Sequence, residues 1–147
     1  MTILGFNHVG VVVRDLEGAA RFFRALGFEV NGPQQVEGVW LRRVAGVEAD
    51  HSELYGVSAP GDEPWLELVR YSPATEEQPV ALPSDALGYR HIAYQVTDVD
   101  ELVRTARAEG YEPVAEPVDY GDAYRLVYLR GPEGLIVELA QPLSNPF

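Results

Sequence analysis

The chain has 147 residues, 46% of them apolar and 23% charged, which is enough for one soluble domain with a real core. Its formal charge of −12 would repel nucleic-acid phosphates, and no apolar run approaches the roughly 18 residues of a membrane span, so neither partner is expected. There is no cysteine, which excludes disulfides, thiolate metal sites and cysteine nucleophiles; with no basic-then-apolar leader at the start, the expected compartment is the cytoplasm.

The first predicted element is a strand in which Val9, Val11 and Val13 occupy one face and Phe6, His8, Gly10 and Val12 the other. Asp15 then reads as a helix N-cap, Leu16, Ala19, Ala20 and Phe23 as the buried stripe of the helix, and Gly27 as its stop before a second strand. From Asn31 to Asp50 the pattern is less regular, with one or two helical turns over Val39–Val44. Strands follow at His51–Ala59 and Trp65–Tyr71, joined by a turn at Pro60-Gly61-Asp62-Glu63. Ser72–Asp85, rich in Pro and Glu, reads as a linker.

After the linker the chain repeats itself. Leu4–Val30 lies over Leu87–Pro113 without a gap at a constant offset of 83 residues, matching Leu4/Leu87, Gly5/Gly88, His8/His91, Val13/Val96, Asp15/Asp98, Arg21/Arg104, Arg24/Arg107 and Gly27/Gly110. Asp98 with Glu101 makes a capping box, and Leu102, Val103 and Ala106 repeat the apolar stripe. The second copy ends in Ala123–Arg130, a turn at Gly131-Pro132-Glu133-Gly134, and Leu135–Gln141. The expected organisation is one domain over residues 1–147, with module one over about 1–72, a linker over about 72–86 and module two over about 87–147.

Four residues repeat with the fold. A single histidine on an apolar strand is ordinarily a satisfied core residue, but His8 and His91 sit at equivalent points of the repeat. Glu67 shares a predicted strand face with Trp65 and Val69, and Glu138 shares one with Ile136 and Ala140, so neither reads as a solvated strand position. A carboxylate among apolar groups is costly unless it pairs, binds metal or takes up a proton. Two imidazoles and two carboxylates suit one divalent ion (nickel, cobalt, zinc, manganese or iron(II)), and four ligands leave a position open for substrate. Small closed structural sites favour cysteine, which this chain lacks.

His8-Val9-Gly10-Val11-Val12-Val13 with Asp15, Arg90-His91-Ile92-Ala93, and Gly131-Pro132-Glu133-Gly134 followed by Val137-Glu138-Leu139 resemble the vicinal oxygen chelate superfamily over nearly the whole chain. That resemblance implies an α+β fold of two tandem βαβββ modules, a cupped eight-stranded mixed sheet with helices outside and the metal in its concavity. It also implies a homodimer, sometimes with exchanged modules, which the exposed sheet edges favour too. With Glu67 present, the ligand set His8, Glu67, His91 and Glu138 is similar to that of glyoxalase I, and the chain's length and histidine placement to those of methylmalonyl-CoA epimerases. The implied activity is a lyase or isomerase that moves a proton beside a chelated carbonyl of a small molecule, with Glu138 or Glu67 as base. The alternatives are an iron(II) extradiol-type dioxygenase, against which Glu67 counts, and a non-catalytic antibiotic-binding protein of the bleomycin-resistance type, against which the intact ligand set counts. His51, Glu53 and Tyr55, which alternate on one strand face, and Tyr124 are the candidates for contacting substrate. Asn31–Ser58 departs from the glyoxalase pattern and offers no clear clamp for a glutathione carboxylate.

Overall fold

The computed structural model describes residues 2–144. They divide into two compact units, Met1–Glu77 and Gln78–Phe147, with the boundary inside the expected linker. In the first unit the chain runs β1 (Val9–Val12), α1 (Leu16–Ala25), β2 (Glu29–Glu37), α2 (Val39–Ala45), β3 (His51–Ser58) and β4 (Leu66–Ser72). In the second it runs β5 (Ile92–Gln95), α3 (Val99–Ala108), β6 (Val118–Tyr120), β7 (Tyr124–Arg130) and β8 (Ile136–Pro142), with a 3-10 turn at Pro132–Gly134 before the last strand. The fold is α+β, and the eight strands fall into two mixed sheets of four, ordered β1-β4-β3-β2 and β5-β8-β7-β6. In each sheet the short first strand is an edge, pairing in parallel with the last strand of its module.

The two units are built alike because the same local signals recur. Asp15 accepts from the Gly18 amide at 2.9 Å and Asp98 from the Glu101 amide at 2.8 Å, so each helix begins on a side-chain cap. At Gly18 a Cβ would lie 2.2 Å from Asp15 Oδ2, which makes the small residue a condition of the first cap. Gly27 and Gly110, at φ of 90° and 89°, turn the chain out of each helix through a conformation that other residues rarely adopt. Each helix covers one sheet face. In unit 1 the core is Leu16, Ala19, Ala20, Phe22 and Phe23 against Tyr55, Val57, Leu66 and Leu68; in unit 2 it is Val99, Val103 and Ala106 against Tyr94, Val127, Leu129, Val137 and Leu139.

The least regular stretch of the sequence holds more structure than its pattern suggests. β2 is nine residues long, and its alternation is broken by a register shift between Asn31 and Gln34, where Gly32-Pro33 interrupts the pairing with β3. The helical turns expected over Val39–Val44 form α2. Unit 2 has only the three residues of the 121–123 turn between β6 and β7, so the segment with α2 is an addition peculiar to unit 1. Among the described residues no helix is long and apolar enough to cross a membrane.

Candidate metal centre in two half sites

With one face of each sheet sealed by its helix, the pleat turns alternate residues to the opposite face. In unit 1, Leu66 and Leu68 are buried, so Glu67 points to the other face; Gly10 of β1 and Gly56 of β3 lie opposite it in register. His8 precedes β1 on that same face, and its Nε2 lies 3.4 Å from Glu67 Oε2. Unit 2 repeats the arrangement. Val137 and Leu139 are buried, Glu138 faces away from the helix, and Ala93 and Tyr128 are its neighbours in register. His91 Nε2 lies 3.2 Å from Glu138 Oε2. The four residues singled out by the repeat thus form two equivalent His/Glu pairs, one per unit. Among the described residues no group of three or more His, Asp or Glu is placed to hold a metal ion.

The pair geometry can be compared with a metal site directly. Two donors each about 2.1 Å from one ion lie about 3.0–3.4 Å apart for bond angles between octahedral and tetrahedral. Both separations, 3.4 and 3.2 Å, fit that spacing, as they also fit a His–Glu ion pair. On its other side the His8 ring approaches the Asn7 side-chain oxygen through Nδ1. The donor set of neutral imidazole nitrogens and carboxylate oxygens fits a borderline divalent ion.

A model of the Glyoxalase/Bleomycin resistance protein/Dioxygenase superfamily matches residues 5–139. The chain belongs to that superfamily. A glyoxalase family protein from Bacillus cereus is 35% identical, with a TM-score of 0.89 over 98% of this chain and 97% of that one. The trypanothione-dependent glyoxalase I of Leishmania major is 21% identical, with a TM-score of 0.65 over 93% of this chain and 86% of that one. The fosfomycin resistance protein FosX of Listeria monocytogenes, solved with Mn(II) and sulfate, is 18% identical, with a TM-score of 0.61 over 96% and 92%. The last two likenesses concern the fold. No curated protein sequence matches the chain.

The remaining candidates separate by strand parity. His51, Glu53 and Tyr55 lie on the face of β3 opposite to that of Glu67, because Tyr55 pairs with buried Leu68 while Gly56 pairs with Glu67. Each is engaged on that side. His51 Nδ1 is 3.2 Å from Glu37, and Glu53 accepts from Gln35 at 2.8 Å and from Arg70, which together hold its carboxyl below the usual range. The Tyr55 hydroxyl donates to Glu17, which raises the phenol's pKa, and Arg24 lies 5.2 Å over its ring. These three residues tie strands and helix together and turn away from Glu67. Tyr124 is placed differently, on the face of β7 that also carries Tyr128 and lies beside Glu138. Tyr128 escaped the sequence reading. Its ring packs on His91 with centroids 4.8 Å apart and planes tilted by 35°, and the only signal for it was the alternation Tyr124-Leu126-Tyr128.

Proposed function

We propose that His8, Glu67, His91 and Glu138 together hold one divalent metal ion, and that this superfamily member is a lyase or isomerase moving a proton beside a carbonyl of a small oxygenated substrate. The observation that carries the reading is the duplicated His/Glu pair at metal-ligand spacing, 3.4 Å in one unit and 3.2 Å in the other. When bound, the ion supplies Lewis acidity that polarises a carbonyl oxygen and makes the neighbouring C–H more acidic. The Glu138 carboxylate then accepts that proton and returns it to the adjacent carbon, leaving the substrate isomerised. Glu138 is better suited to this than Glu67, because its side chain is 18% exposed against 32%, with Tyr128 opposite it in register. Glu67 counts against iron(II) dioxygenase chemistry, since as a fourth ligand it would take a position that a catechol or dioxygen would need.

Elemental analysis of protein purified without chelators, paired with the same measurement on His8→Ala and His91→Ala, tests the centre. About one metal per complete ligand set is expected in the parent and a loss of 10-fold or more in affinity in each variant, with cooperative unfolding retained. Full metal content in both variants would overturn the ligand assignment. A panel of 2-oxoaldehyde hemithioacetals, acyl-CoA esters and catechols then tests the reaction, and oxygen uptake with a catechol would replace the isomerase by the dioxygenase.

The protein is further proposed to act as a homodimer. β1 and β5 are sheet edges, and the segments leading into them expose Leu4 (98%) and Phe6 (72%) in the first copy and Leu87 (98%) and Tyr89 (100%) at the corresponding places in the second. Apolar edges duplicated in this way suit a second copy, which can cover both under one two-fold axis. Light scattering is expected to give twice 16.2 kDa, and a particle of 16.2 kDa at micromolar concentration would exclude the dimer.

A further inference from the structure

The two sheet faces that carry the His/Glu pairs differ in what surrounds them. In unit 1 the residues nearest Glu67 along β3 are Gly56, Leu54 and Ser52. At the matching registers beside Glu138, unit 2 has Tyr128, Leu126 and Tyr124, and Tyr120 of β6 lies opposite Tyr124. The fold does not require these rings, because unit 1 forms the same β3–β4 pairing with glycine and serine, and Tyr94, Val127, Leu129, Val137 and Leu139 of the unit 2 core are on the other face, with Ile136 on this one. Tyr128 packs on His91, while Tyr120 and Tyr124 have no ring contact among the described residues. Tyr124 and Tyr128 are half-buried, Tyr120 is 71% exposed, and none of the three hydroxyls has a hydrogen-bond partner among the described residues. From Glu138 to β6 this face bears no Lys or Arg. Arg130, at the far end of β7, is tied to the carbonyl oxygens of Leu82 and Gly134 at 2.7 and 3.2 Å.

We infer that the substrate carries a planar, unsaturated arm, and that this arm lies along β7 on Tyr128, Leu126 and Tyr124 while its vicinal oxygens face Glu138 and His91. The inference rests on the proposed centre only for the end of the substrate that faces Glu138. Tyr128 lies directly opposite Glu138, and Tyr124 is four residues further along the strand, about 13 Å at the usual rise, so the platform is continuous with the pair and long enough for one or two fused rings. Aromatic faces attract other π-systems beyond the gain from area alone, and the free phenol groups can donate to oxygens on a ring. A phosphate or carboxylate arm would find no positive charge here, which selects against strongly anionic carriers on this half.

The test compares two ligands with the same vicinal oxygens, 2-hydroxy-1-(2-naphthyl)ethanone, whose fused rings reach from Tyr128 towards Tyr124, and hydroxyacetone, by calorimetry on both metal-loaded and metal-free protein. The aryl ligand is expected to bind at least about fivefold tighter than the methyl ligand in both forms. Tyr124→Ala, which does not touch His91, is expected to erase most of that preference with metal content unchanged, and Tyr124→Phe to restore it. Equal affinities in the parent, or a preference untouched by Tyr124→Ala and Leu126→Ala alike, would overturn the inference. So would conversion of a dimer to a monomer by Tyr124→Ala in a protein with no aryl preference, because a second copy would then be the occupant of this face. Absence of metal together with a retained aryl preference would sink the proposed centre and leave the platform standing.

Discussion

Glu138→Gln is expected to lower the rate of α-hydrogen exchange in D₂O by about 10²- to 10⁴-fold while changing substrate affinity by much less. The amide keeps the shape of the carboxylate and one oxygen donor, so the position 3.2 Å from His91 Nε2 remains filled. It loses the negative charge and nearly all of the basicity. A group that acts on the proton in flight therefore shows its loss in kcat, with KM moving little. The measurement is made at saturating metal, with bound metal counted in the same sample, so that weaker coordination is not mistaken for a slower step. If Glu67→Gln gives the larger fall in rate, the base lies in the other half site. If neither substitution slows exchange, proton transfer by these carboxylates is wrong.

Phe23→Ala is expected to destabilise the protein by about 3–5 kcal/mol, a large part of the 5–15 kcal/mol that holds a typical domain folded. Phe23 is fully buried on α1 and meets Phe22 and Phe28 edge-on, at centroid distances of 5.2 and 5.4 Å. Its counterpart in the repeat is Ala106, buried on α3 at 1% exposure, so unit 2 closes its core without a ring at this point. Truncating Phe23 leaves a cavity in a unit already packed around the larger residue, and a neighbouring backbone held by sheet pairing cannot collapse fully into it. Urea unfolding followed by circular dichroism reads the effect. A loss below 1 kcal/mol would mean that α1 packs far more loosely on its sheet than its burial indicates.

Much of this was legible in the sequence, for reasons that differ from residue to residue. The four pair residues stood out because the duplication places each histidine and each carboxylate at equivalent points of two modules, and a constant offset is visible without any structure. Helix ends were legible at Asp15, Asp98, Gly27 and Gly110 because caps and left-handed stops are local chemistry. A strand was expected after Gly27, but the continuation of β2 beyond Asn31 was hidden because the interruption at Gly32-Pro33 destroys its period-two pattern, and β6 because three residues are too few to show one. Strand alternation identified His51, Glu53 and Tyr55 as sharing a face but could not say which face. Their parity with buried Leu68, rather than with Glu67, is a matter of register between strands. Tyr128 against His91 is likewise a contact between separated strands, to which local pattern is blind.

The addition peculiar to unit 1 has an optical consequence. Both tryptophans of the chain, Trp40 on α2 and Trp65 just before β4, lie in that unit, one 51% exposed and the other half-buried. Unit 2 has tyrosines but no tryptophan. Selectively excited indole emission is thus an address label for one half of the molecule, and the far-ultraviolet signal belongs to both. The ratio of the two records whether the halves melt as one cooperative body or in sequence, without any label being introduced.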